Sequence, residues 1–177
     1  ATLLELVRRE PFLLEFACDA FKDDYDVVRA SVHTNYADHA FMHASPRLRA
    51  DRTIAGVALK NDKYMQCISF VDPSLLSDRE FIVDVISVRS YVFRHSTVPW
   101  TRDFLVDCLV ANCDIMDYLP EEYRSDRQFA LDAIARGGAV LFVLSDQLKD
   151  DREVVLAATG RDSHRLSIYL SMDHYWW

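Results

Sequence analysis

Four glycines and five prolines in 177 residues leave little material for hairpin turns, which argues against an all-β chain. No stretch approaches 18 uninterrupted apolar residues, so no membrane-spanning helix is expected. The opening, ATLLELVRREPF, lacks the basic-then-apolar layout of a signal peptide. With Ala1 in place of an initiator Met, the chain is expected to be processed or to be a segment of a longer array. The four cysteines, Cys18, Cys67, Cys108 and Cys113, form no CxxC pair. They are expected to be buried free thiols in a reducing compartment, with a cytoplasmic location. Enzyme signatures are missing as well. Gly137–Gly138 carries no GxGxxG or Walker pattern, there is no GxSxG, and no cysteine sits in a recognisable catalytic setting. No catalysis and no cofactor are expected.

Lysine and glutamate are scarce beside their counterparts: 4 Lys against 16 Arg, and 7 Glu against 21 Asp. Net charge is −8, which disfavours non-specific nucleic-acid binding. An Asp-rich chain that is half apolar suggests helices whose acids stand at N-caps rather than in helix interiors.

What is present is a recurring phrase. KDDYDVV (22–28), RADRTIA (49–55), LSDREFI (76–82), RSDRQFA (124–130) and KDDREVV (149–155) share an anchor at Asp24, Asp51, Asp78, Asp126 and Asp151. WTRDFLV (100–106) is a sixth copy with Thr101 in the anchor place, so successive anchors lie 27, 27, 23, 25 and 25 residues apart. A fixed short period marks an array of supersecondary units.

Counted from the anchor, positions +3, +4, +7 and +8 are mostly apolar, the stripe of an amphipathic helix. The anchor is then the N-cap, and Asp26, Glu80, Asp103 and Glu153 at +2 complement the helix dipole. Apolar runs at 13–17, 40–44, 67–71, 115–119 and 140–144 predict a second short helix in each unit. Pro46, Pro73 and Pro120 are expected to stop three of them. Phe21, Leu48, Leu75, Val98, Tyr123 and Leu148, three before each anchor, are expected to plug the corner into the core. TLLELVR (2–8) and 165–172 extend the pattern at the two ends. The expectation is an all-α chain: one helical-repeat domain over 1–177, an α-solenoid of about seven short helix pairs. A bend is expected in the irregular stretch 87–101.

The run LKDDREVVLAA (148–158), with SDREFIVDVI (77–86) and SDRQFALDAI (125–134), is similar to the short helical repeats catalogued as domain of unknown function 4116. The resemblance implies a tandem helical array with no established activity, and it carries over no catalytic or ligand residue.

Equivalent positions of such an array stack into columns. At +1 stand Tyr25, Arg52, Arg79, Arg102, Arg127 and Arg152. The five arginines are candidate partner-binding residues, since a planar guanidinium suits carboxylate or phosphate. The same column could instead bridge to the anchor or +2 acid of the neighbouring unit. Asp84, Asp107 and Asp132 at +6 form a second column, which could attract a basic peptide or form a solvated face. His39 and His43 lie four apart beside Asp38, a possible zinc half-site that lacks the HExxH glutamate. Tyr175, Trp176 and Trp177 could cap the last unit or mark an interface. The functional expectation is an interaction module for an unknown protein or peptide. The alternatives are a metal-dependent enzyme built on His39 and His43, and a structural spacer.

Overall fold

The computed structural model describes residues 3–160. The expectations for 165–172 and for Tyr175, Trp176 and Trp177 lie outside them. Among the described residues the chain is all-helical, and no helix is long and apolar enough to cross a membrane. The chain divides into two compact units after Val98, within the stretch 87–101 that breaks the sequence pattern.

In the first unit the α-helices are α1 (Leu3–Arg9), α2 (Asp19–Lys22), α3 (Tyr25–Val32), α4 (Ala37–Phe41), α5 (Pro46–Arg49), α6 (Arg52–Asn61), α7 (Pro73–Leu76) and α8 (Arg79–Ile86). The second contains α9 (Arg102–Ala111), α10 (Glu122–Ser125), α11 (Arg127–Ala135), α12 (Asp146–Lys149) and α13 (Arg152–Thr159).

Each anchor is the N-cap of a helix. The side chains of Asp24, Asp51, Asp78, Thr101, Asp126 and Asp151 accept from the amides of Val27, Ile54, Phe81, Phe104, Phe129 and Val154. Each therefore satisfies one of the amides that a helix start leaves open. The stripe is buried as the spacing requires. From α3 to α11 every residue at +3, +4, +7 and +8 is buried, with Phe81, Phe104 and Phe129 at its widest points. On α13 only Val154 is buried, while Val155, Ala158 and Thr159 are half-buried. Within the first unit α1 packs on α3, α3 on α6 and α6 on α8. Within the second, α9 packs on α11 and α11 on α13.

The connections differ from the expected second helix. Four of the five apolar runs are 3₁₀ turns: Pro11–Phe16, Cys67–Phe70, Cys113–Tyr118 and Leu141–Val143. Only the run at 40–44 is α-helical, in α4. Three or four apolar residues cannot sustain an α-helix alone, and the tighter 3₁₀ bond closes sooner. A one-turn helix follows each of the five runs, and the sequence pattern missed it. Pro46 and Pro73 are its first residues, where a missing amide costs nothing, so they start a helix rather than stop one.

These one-turn helices carry the plugs. Leu48, Leu75 and Leu148 are buried, and Tyr123 lies half-buried with its ring 5.1 Å from that of Phe129. Phe21 is the exception. It stays exposed on α2, the first such turn among the described residues. A backbone bond ties three of these turns to the one before: Ser45 N–H to Lys22 O (2.9 Å), Asp72 to Arg49 (3.3 Å) and Ser145 to Arg124 (2.9 Å). Thr97 makes the same bond to Leu76 (2.9 Å) without a helix of its own. At the end of α11, Gly137 adopts φ +95°, which only glycine takes cheaply, and Gly138 bonds back to Ala133 O at 2.8 Å.

Asp51 isolates the cap, because its carboxylate accepts only from Ile54. Asp51→Ala is expected to cost about 1 kcal/mol in urea unfolding, and Asp51→Ser less than half as much. Equal losses for the two would remove the cap from the account.

Candidate functional site

The +1 arginines run from one cap to the next. Arg102 grips Asp126 with both guanidinium ends, at 2.9 and 3.3 Å, and its Nε reaches Asp132 at 3.1 Å. Its guanidinium also lies 5.5 Å over the Phe129 ring. Arg127 donates to Asp151 at 2.9 Å and to Glu153. Arg52 donates to Asp78, with Glu80 at 3.6 Å. Arg79 is half-buried at the same place on α8, and Arg152 is exposed on α13. The +6 column is occupied too: Lys60 holds Asp84 at 2.8 Å, Arg136 holds Asp107 at 2.6 Å, and Asp132 takes Arg102.

These contacts are surface ion pairs, individually weak, but each guanidinium spans two acids in a planar fork. Their signature is electrostatic. The bond from Arg102 chiefly, then the Phe129 amide, holds the Asp126 carboxyl below the usual aspartate range. Arg127 and the Val154 amide do the same for Asp151. A lowered folded pKa contributes stability above the unfolded value of about 3.9, and that contribution disappears as pH falls through the folded value.

A second feature lies at the start of the chain. Arg9, Glu10, Pro11, Phe12, Tyr36 and His39 line a cleft of about 420 Å³. Phe12 and Tyr36 are about half exposed. The Tyr36 ring lies 6.3 Å from that of Tyr64 and 6.4 Å from His39. Tyr64 and Met65 project from the loop after α6, where Met65 has a left-handed φ of +59°. A buried carboxylate pins that loop. Asp62 accepts from the Tyr64 amide at 3.0 Å and the Cys67 amide at 2.7 Å, with the Tyr91 hydroxyl at 3.5 Å. Burial, reinforced by Asp62, pushes both the Cys67 thiol and the Tyr91 hydroxyl upward.

His39 is exposed beside this cleft, with Nε2 3.8 Å from Asp38 Oδ2, and His43 is half-buried. Among the described residues no group of three His, Cys, Asp or Glu side chains could hold a metal ion.

The sequence reading placed the ladder residues and missed the cleft. Phe12, Tyr36 and Tyr64 occupy unrelated positions in their segments, so no column joins them. Asp62 had a faint signal, since an aspartate just past an apolar stripe can accept from the amide two residues on. The expectation of four buried thiols is corrected. All four are free, but only Cys67 and Cys108 are buried, and Cys18 is exposed. Cys18 lies at the cap of α2, outside the apolar stripe.

Carbon-13 titration of the carboxyls checks the ladder. Arg102→Gln is expected to raise the Asp126 midpoint toward about 3.9 and leave Asp151 unmoved. Unchanged midpoints in that variant would show that the pair is not formed in solution. A thiol reagent is expected to label Cys18 fastest, Cys113 more slowly, and Cys67 and Cys108 only on unfolding. Early labelling of Cys67 would contradict the packing around Asp62.

No curated protein and no solved structure matches the chain. Residues 126–171 match the family model described as Domain of unknown function (DUF4116), the family that SDRQFALDAI and LKDDREVVLAA resemble.

Proposed function

We propose that this chain is an α-solenoid of about seven short helix pairs that serves as a protein- or peptide-binding module without catalysis. Packing of each capped helix on the next within its unit supports the array. The observation that carries the binding role is the aromatic cleft. Phe12, Tyr36 and Tyr64 leave much of their ring surface in water beside Met65, and aromatic and methionine side chains are what partner surfaces favour. The chain keeps such rings outside while burying other aromatics completely, so their exposure is not a shortage of core.

The arginine column enters through its last member. Arg52, Arg102 and Arg127 already hold acids of the next segment, and Arg152 offers an open fork to a carboxylate-bearing partner. With a net charge of −8, the partner class is protein or peptide rather than nucleic acid.

Capture on the immobilised full chain tests the reading, with cross-linked partners identified by mass spectrometry. Tyr36→Ala combined with Tyr64→Ala is expected to lose most of the captured protein while circular dichroism stays unchanged. Arg152→Glu is expected to weaken capture partially. Capture by wild type no greater than by the unfolded chain would refute the module.

A further inference from the structure

The arginines of the ladder define what a structural arginine looks like in this chain: Arg52, Arg102, Arg127 and Arg136 each contact two acids. A cluster of cationic side chains at the α1–α3 junction departs from that rule. Arg8 on α1, Arg29 on α3 and His33 just past α3 line a cleft of about 210 Å³ with Leu4, Asp26 and Ala30. Among the described residues none of the three has a hydrogen-bond or ion-pair partner. Asp26 shares the cleft and lies one turn before Arg29, yet it pairs with neither arginine.

We propose that this cleft between α1 and α3 binds a carboxylate side chain of an acidic peptide. Two guanidinium groups and an imidazole line the cleft and carry the donors, and a carboxylate can accept from both guanidinium forks. Charge decides the class of anion. Arg8 and Arg29 carry two positive charges and Asp26 one negative, which leaves a surplus of one. A monoanionic carboxylate cancels that surplus, whereas a phosphoryl dianion would overshoot it and face Asp26. The space equals that of about seven waters, enough for one acidic side chain with an aliphatic stem against half-exposed Leu4. The overall charge of −8 does not forbid this. At physiological salt, charges more than about 8 Å away are largely screened, so the cleft acts through its own surplus.

This site rests on the module reading and names one of its anchors. The test uses the full chain and a fluorescein-labelled hexaglutamate peptide, read by fluorescence anisotropy at 0.15 M salt, with hexalysine as the reversed-charge control. Hexaglutamate is expected to bind and hexalysine not to bind. Arg8→Ala with Arg29→Ala is expected to weaken hexaglutamate binding about tenfold or more, Arg8→Lys less so, and Arg127→Ala not at all. Unchanged melting temperatures would show that the losses are not unfolding. Absence of hexaglutamate binding, or equal affinity in the double variant, overturns the site. A phosphoserine peptide of the same length that binds tenfold more tightly overturns the carboxylate assignment. Partner capture separates this proposal from the module reading. Peptide binding without capture sinks the module alone, and capture surviving in a double variant that no longer binds peptide detaches the cleft from it.

Discussion

One aspartate carboxylate does two things at three of the helix starts, and the arrangement of these helices depends on it. At Asp78, Oδ1 accepts from the Phe81 amide while Oδ2 accepts from Arg52 of the preceding capped helix. Asp151 divides its oxygens likewise between the amides of Glu153 and Val154 and the guanidinium of Arg127. The same group therefore satisfies an open amide within its own helix and fixes the register of the helix before it. Serine or asparagine would cap as well but would offer no charge to an arginine. Glutamate would carry the charge but sits one methylene too far out to cap. Part of the excess of Asp over Glu follows from this double duty.

Part of the excess of Arg over Lys has the same origin. A lysine is a point charge, and Lys60 takes a single acid, Asp84. Arg102 meets a cap and a mid-helix acid at once, and Arg136 meets Asp103 and Asp107 one turn apart. Such two-acid bridging needs a fork of fixed geometry.

The capped helices were legible because their signals are local and periodic: a cap residue followed by apolar positions at 3.6-residue spacing. The ladder was legible as one of two readings, since an arginine at +1 and acids at 0, +2 and +6 recur in register. The one-turn helices were not legible. Four residues have no period, and what ties three of these turns in place is a backbone amide meeting a carbonyl 21 to 23 residues earlier, as from Ser145 to Arg124 and from Ser45 to Lys22. Backbone bonds of that kind leave no mark on residue identity. The same holds for the aromatic cleft, which is lined by Phe12 of a 3₁₀ turn and Tyr36 at a helix start, with Tyr64 of a loop beside Tyr36. Only the loop has an identifiable cause, the buried Asp62 that draws in two amides.

The places where the ladder stops are therefore more informative than the ladder itself. The first capped helix begins Asp24–Tyr25, so no arginine is available to reach Asp51, and that cap keeps one oxygen unused. Near the same helix the cations sit elsewhere, Arg29 one turn further along α3 and Arg8 across from it on α1, and neither meets an acid. A chain with eight more acids than bases could pair them at little cost, because each pair on such a surface is worth no more than about 1 kcal/mol either way. Stability therefore exerts little pull toward pairing or against it. What distinguishes the α1–α3 junction is placement: two arginines without an acid partner line one shared cleft, where the ladder's forks hold acids of the next helix.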